Sequence, residues 1–222
     1  MLTLKGKLIL IFTVLSLVQC TTNRQLSKND KKNVREQLAN MLSSDQKYRM
    51  MLMYGEADKR KLDSILQLPF DVRLKILRRH NTPQYGLSKV LEDSLWKMQN
   101  KIDSVNAVQL KTIIARYGWP DEKRFGENKA NIILIHAAAQ KVKELHSFLL
   151  EEVKLKRLRP FTFATIWDRM LTHSNQKQLY GTIPTIDIDG KTLQPLIENV
   201  DSTNKARRLI GLRPIKKYRI SE

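Results

Sequence analysis

A mainly α fold carrying one small β-hairpin near residues 183–193 is what the sequence predicts, on three observations. Apolar residues recur at helical spacing from about Lys31 to Ile210. Glycine, proline and Asx residues interrupt that pattern at helix-length intervals. One β-branched run, Ile183, Thr185, Ile186 and Ile188, precedes Asp189-Gly190, a two-residue hairpin signal, with Thr192 and Leu193 to begin the return strand. No fixed-period repeat is present. With 222 residues the chain is long enough to bury a real core.

The N-terminus reads as a bacterial signal peptide over residues 1–19. Lys5 and Lys7 supply its positive end, and Leu8 to Val18 is an apolar run broken only by Thr13 and Ser16. A membrane-spanning helix needs ~20 such residues, so the run is too short to be one. Leu17-Val18-Gln19-Cys20 resembles the lipobox of bacterial lipoproteins, with Gln19 where that family has a small residue. The resemblance implies lipid modification of Cys20, the only cysteine. The alternative is ordinary cleavage beside Cys20, which would give a soluble periplasmic protein. Residues 20–30 are polar and read as a tether.

An N-terminal helical segment is expected over 31–86. Val34, Leu38, Met41 and Leu42 form its first face, and Asp45 is placed as N-cap of a second segment with Tyr48, Met51, Leu52 and Met53 in the core. Leu62, Ile65, Leu66 and Leu68 continue to Pro69; Val72, Leu74, Ile76 and Leu77 then give a short helix before the turn Asn81-Thr82-Pro83. The methionines read as core filler rather than a metal box.

Residues 87–222 form the main helical domain. Leu87 to Asn100 reads as a helix with Val90, Leu91, Leu95 and Met98 inward. Asn106 is placed as N-cap of the next, which carries Val108, Leu110, Ile113 and Ile114 and stops at Tyr117-Gly118-Trp119-Pro120. Glu127 to Glu152 reads as a single long helix with Ile132, Ile135, Ala138, Ala139, Val142, Leu145 and Leu149 on its stripe. A basic linker leads to a short helix, Thr162 to Leu171, bearing Trp167, Asp168 and Arg169. Asp201 or Ser202 is placed as cap of a last helix ended by Gly211 near Ile210.

The formal net charge is +18. In a cytoplasmic protein that would indicate nucleic acid; export points instead to anionic lipid headgroups, an envelope polymer or a protein partner, with no nucleic acid expected. The excess concentrates at Lys154, Lys156, Arg157 and Arg159 and at Arg207, Arg208, Arg213, Lys216, Lys217 and Arg219. These suit docking against an anionic leaflet, or simply a solvated surface.

Recognised chemistry is sparse. GxSxG, P-loop and GxGxxG motifs are missing. The histidines His80, His136, His146 and His173 lack HExxH spacing. Asp187-Ile188-Asp189-Gly190 would need a glutamate where Leu196 stands to be a calcium loop. Neither metal nor cofactor is expected. What remains is His136, set in an apolar stretch, and the Asp168-Arg169 pair. Either His136 is a general base oriented by Asp168, with Arg169 holding an anion, or the three form a polar cluster joining two helices.

An ordered set of residues goes further: Tyr117-Gly118-Trp119-Pro120, Gly126, His136, Asp168-Arg169, Gln178, Tyr180-Gly181-Thr182, Asp201, Arg208, Gly211-Leu212 and Tyr218. Over about Leu87 to Tyr218 this resembles a bacterial family, domain of unknown function 6624, found in exported and lipoprotein-like chains. Ile183 stands where the family usually has glutamine after Tyr-Gly-Thr. The resemblance implies no activity, but it marks His136, Asp168, Arg169, Tyr180 and Thr182 as residues expected to converge, with Trp119, Gln178 and Arg208 as further binding candidates.

The expected protein is a lipoprotein of the bacterial cell envelope, anchored in the outer membrane facing the periplasm, whose helical domain binds a partner or anionic component. The alternative is a hydrolase acting on an anionic envelope substrate through His136. A concave site holding a histidine of perturbed pKa favours the enzyme; a flat basic face with His136 sealed inside favours the binder.

Overall fold

A computed structural model describes residues 26–80, 86–186 and 192–215. The signal peptide with Cys20, the turn at Asn81-Thr82-Pro83, the turn at Asp189-Gly190 and the terminal cations Lys216, Lys217 and Arg219 lie outside the described residues, as does Tyr218.

The described chain is mainly helical, and two long helices are its frame. The first, α1 (Lys28–Tyr54), starts where the Ser27 hydroxyl accepts from the Asp30 N–H and ends at Gly55 with φ 64°. The short helices α2 (Lys59–Leu66), capped by Asp58, and α3 (Phe70–His80), just after Pro69, follow as the sequence indicates. The second long helix, α4 (Lys89–Tyr117), is capped by Ser88 and ends at Gly118, whose φ of 77° suits glycine. It packs along α1.

Neither Asp45 nor Asn106 is a cap. Both lie mid-helix and are buried, because each finds its partner on another helix. Asn106 donates to Met41 O (3.0 Å) and to Ser44 Oγ (3.1 Å), tying α4 to α1. The inner face of α4 also differs from expectation. Val90, Leu91 and Met98 are exposed, whereas Leu95, Gln99, Asp103, Asn106 and Leu110 are buried. A stripe alternating apolar and amide or acidic residues is invisible to a search for apolar periodicity alone.

The expected single helix over Glu127 to Glu152 is three: α6 (Ala130–His136), α7 (Ala139–Glu144) and α8 (His146–Lys154). They follow the four-residue α5 (Glu122–Phe125). Ala137 and Ala138 adopt extended conformations, although alanine is the best helix former. Local preference amounts to a few tenths of a kcal/mol per residue. Turning the chain there lets α7 and α8 lie on α9 (Pro160–His173) and buries Ala137, Val142, Leu145, Leu149 and Val153 in the common core. Packing decides against propensity. Pro160 takes the first turn of α9, two residues before the expected start.

Thr185–Ile186 (β1) pairs antiparallel with Thr192–Leu193 (β2), two residues a side. The last helix, α10 (Val200–Leu209), is capped by Asn199, which accepts from the Ser202 N–H, rather than by Asp201 or Ser202. The core cluster runs from Val34, Leu38 and Met41 of α1 to Phe163 and Ile166 of α9 and Ile210 beyond α10. The N-terminal segment therefore shares one core with residues 87–222. No helix among the described residues is long and apolar enough to cross a membrane.

Candidate functional site

The buried polar residues of α1, α4 and α6 converge on His136. Its Nδ1 lies 2.9 and 3.0 Å from the two carboxylate oxygens of Asp45, a residue 91 positions earlier and 1 % exposed. A carboxylate only accepts, so Nδ1 carries the hydrogen, and the neutral ring keeps its lone pair on Nε2. Asp45 is itself held: Gln46 Nε2 donates to its Oδ2 (2.6 Å), and Arg49 Nε stands 3.7 Å from the same oxygen. Arg49 donates onward to Asp103, whose other oxygen accepts from Gln99 Nε2 at 2.7 Å. In the chain His136–Asp45–Arg49–Asp103–Gln99 the two carboxylates and the amide are buried, and His136 and Arg49 are partly exposed.

The histidine end opens into a cavity of about 320 Å³ lined by Asp103, Ser104, His136, His173 and Ser174 together with Ala137 to Ala139. The break after α6 thus builds the wall beside His136. His173, at the end of α9, is an exposed residue on the cavity's rim. Desolvation lowers its pKa from 6.5, and the charges of Arg169, His136 and Arg49 lower it further. A base whose folded pKa is depressed takes up protons more readily when unfolded. Stability is therefore lost as pH falls below about 6.5. His173→Gln is expected to make that acid limb shallower in urea unfolding measured across about pH 5–7.5; an unchanged limb would show that His173 does not contribute. The effect is small because solvent screens an exposed ring.

Asp168 does not orient His136. It is fully buried on α9 and accepts four hydrogen bonds from the loop that follows. Leu179 N and Tyr180 N donate to Oδ1 at 2.9 Å each; Thr182 N (2.9 Å) and Thr182 Oγ1 (2.8 Å) donate to Oδ2. Burial pushes its carboxyl above the ordinary range, and the four donors pull it back. The sequence-expected pairing fails because the loop lies nearer in the chain and presents its own donors to both oxygens.

The other candidates divide accordingly. Gln178 is buried and clamps Ile183 through both N–H (2.9 Å) and C=O (2.6 Å). Tyr180 is buried against Phe163, and burial raises its pKa to about 12. Arg208 is exposed; its neighbour Arg207 is the one that turns inward, donating to Tyr180 O (2.6 Å) and Arg213 O (2.7 Å). Arg169 lies a turn before His173 on α9 and acts on that ring by its charge. Trp119 is buried elsewhere, its N–H donating to Glu152 Oε2 (3.2 Å). So of the residues expected to converge, Asp168, Tyr180 and Thr182 do, as a loop clamp beside which Gln178 holds Ile183, while His136 pairs with Asp45 and Arg169 makes no bond to the clamp among the described residues.

Sequence reasoning passed over Asp45, Arg49, Gln99, Asp103 and His173. A signal for three of them exists. Asp45 continues the helical phase of Val34, Leu38 and Met41, and Gln99 and Asp103 lie between Leu95 and Ala107 at i, i+4 steps. An acidic residue in phase with a buried stripe demands a partner.

A family model, that of a family of unknown function (DUF6624), matches residues 83–221. No curated protein and no solved structure matches the chain. The match takes in His136, Asp168 and the loop clamp but not α1, so the carboxylate that holds His136 comes from outside it.

Proposed function

Because the chain belongs to the family of unknown function DUF6624 and its motifs bring no reaction with them, we propose from the residues themselves that it is an envelope hydrolase using His136 as general base. The carrying observation is the Asp45–His136 pair at the wall of a cavity that also holds His173. With Asp45 fixing the tautomer, Nε2 is left to take a proton from a water or from a hydroxyl such as that of Ser104 or Ser174, and Asp45 stabilises the imidazolium that forms. The charge of Arg169 reaches the cavity rim, which favours an anionic substrate. The side chain of His136 is 18 % exposed rather than sealed, which ranks this reading above a purely binding role.

The lipobox-like segment ending at Cys20 supports placing the protein at a bacterial membrane, held by a lipid anchor, with the polar tether letting the domain stand off the surface. Metabolic labelling with palmitate tests this part: label on the wild type and none on Cys20→Ser is expected, and an unlabelled wild type removes the anchor.

For the activity, the full-length protein and His136→Ala are compared on chromogenic phosphomonoesters, phosphodiesters and carboxylic esters. Turnover by the wild type, at least about a hundredfold above the variant, is expected on one class. Equal rates on every class would end the hydrolase reading.

A further inference from the structure

A second cavity, of about 200 Å³, lies where α5, the start of α6 and the α8–α9 junction meet, and it shares no lining residue with the His136 cavity. Its lining carries Lys123, Lys156, Arg157 and Arg159 against Asp121 and Glu122. One acid, Asp121, and one cation, Arg157, are engaged elsewhere. Asp121 caps α5 through Arg124 N (3.1 Å) and holds the Arg124 guanidinium (2.5 Å). Arg157 makes a bidentate pair with the buried Glu152, both bonds at 2.6 Å. Glu122 and Arg159 form only a loose, exposed contact at 3.5 Å. Lys123 and Lys156 pair with no carboxylate among the described residues. The cavity therefore carries a positive excess that the protein does not neutralise.

Two further features place donors and cations at this cavity. Asn131 and Thr162 line it, and neither side chain bonds to a described protein group, so both remain available to a ligand. Lys156 has φ 58°, a left-handed conformation that glycine adopts without strain and lysine does not. The fold holds the backbone there through Lys156 N to Val153 O (3.0 Å) and Arg157 N to Glu152 O (2.9 Å). That left-handed turn closes the C-terminal end of α8 and sets the exposed Lys156 beside the other cations of the cavity.

We propose that this cavity binds a phosphate group, with Lys156, Lys123 and Arg159 supplying charge and Asn131 and Thr162 supplying hydrogen bonds. The group has two possible sources, a free phosphate or monoester and the phosphodiester headgroup of an anionic lipid. Phosphate presents several acceptor oxygens at once, which matches a lining of converging donors better than a single carboxylate does.

The test is calorimetric titration and thermal unfolding of the full-length protein with inorganic phosphate and, separately, with glycerophosphoglycerol, the deacylated headgroup of phosphatidylglycerol. Lys156→Gly and Arg159→Ala are each expected to weaken binding about tenfold. Lys156→Gly is also expected to raise Tm in ligand-free buffer, which separates loss of a ligand contact from loss of fold. Lys154→Ala, an equal charge change just outside the lining, is the control and is expected to change affinity by less than about twofold. Binding of inorganic phosphate with this variant pattern identifies the free-phosphate source; binding of the diester alone identifies the headgroup. Binding of neither probe, or equal weakening by Lys154→Ala and Lys156→Gly, overturns the proposal. These readouts do not involve His136, so they stand or fall apart from the hydrolase reading.

Discussion

Asp168→Asn is expected to lower the free energy of unfolding by about 3 kcal/mol, read from urea denaturation. The carboxylate sits fully buried among four donors and no acceptors. An asparagine turns one of its two atoms into an NH2 group. If that group replaces Oδ2, it faces the Thr182 N–H, which has nowhere else to donate; if it replaces Oδ1, two N–H groups are orphaned. Only the Thr182 hydroxyl can rotate to accept. Leaving a buried donor unsatisfied costs ~1–3 kcal/mol, and losing the charge weakens the bonds that survive. Thr182→Val removes one of the four and is the milder companion. A loss under about 1 kcal/mol for Asp168→Asn would mean that the loop re-forms its bonds without the carboxylate, and that Asp168 does not clamp it.

The largest effect on activity is expected from Asp45→Asn, a drop in kcat of roughly 10³–10⁴ with KM little changed. The direction follows from the surroundings of Asp45. Its Oδ2 takes the Gln46 amide and lies beside Arg49, so the asparagine oxygen is drawn to that side. Its NH2 then faces His136 Nδ1 and donates to it. The imidazole hydrogen moves to Nε2, and the cavity receives a donor where the reaction needs a base. Asp45 acts through His136 and is a positioning residue, so nitrogen NMR of the His136 ring is the first readout: Nδ1–H in the wild type, Nε2–H in the variant. A variant that keeps the wild-type tautomer, or turns over substrate at the wild-type rate, would sink the assignment. A residue that served only to pack α1 on α4 would move stability and leave the tautomer alone.

How much of this was legible in advance depends on how local the cause is. Pro69 between α2 and α3 and Gly118 after α4 are placed by rules that need only a few neighbouring residues; Ser88 before α4, Asp58 before α2 and Pro160 at the start of α9 obey rules of the same kind but are not among the expected helix ends. Of the five residues that the family resemblance implies should converge, Asp168, Tyr180 and Thr182 do meet, within 14 residues of one another, whereas His136 pairs with Asp45 instead. What the resemblance left open was whether the convergence serves a ligand or the fold; four donors on one carboxylate point to the loop.

Other errors share a cause. Asp45 and Asn106 are good N-cap types, so a local rule stops a helix at each, yet α1 and α4 run straight through both. Arg208 is the expected binding residue, yet Arg207 is the one that turns inward, a register that α10 fixes only by docking on the Tyr180 loop. The alanines at 137 and 138 should continue a helix by every local measure.

The sequence by itself determined a mainly helical chain, the helix ends at Pro69 and Gly118, the family to which it belongs and the basic character of its surface. Only the tertiary structure decided that His136 is held by Asp45 rather than Asp168, that the helix breaks after His136, and that a cavity opens at that break. Helix ends are set by backbone donors and acceptors that find partners within one turn. The His136–Asp45 pair joins residues 91 apart, and it forms because packing α1 against α4 and α6 buries a carboxylate that must then be satisfied.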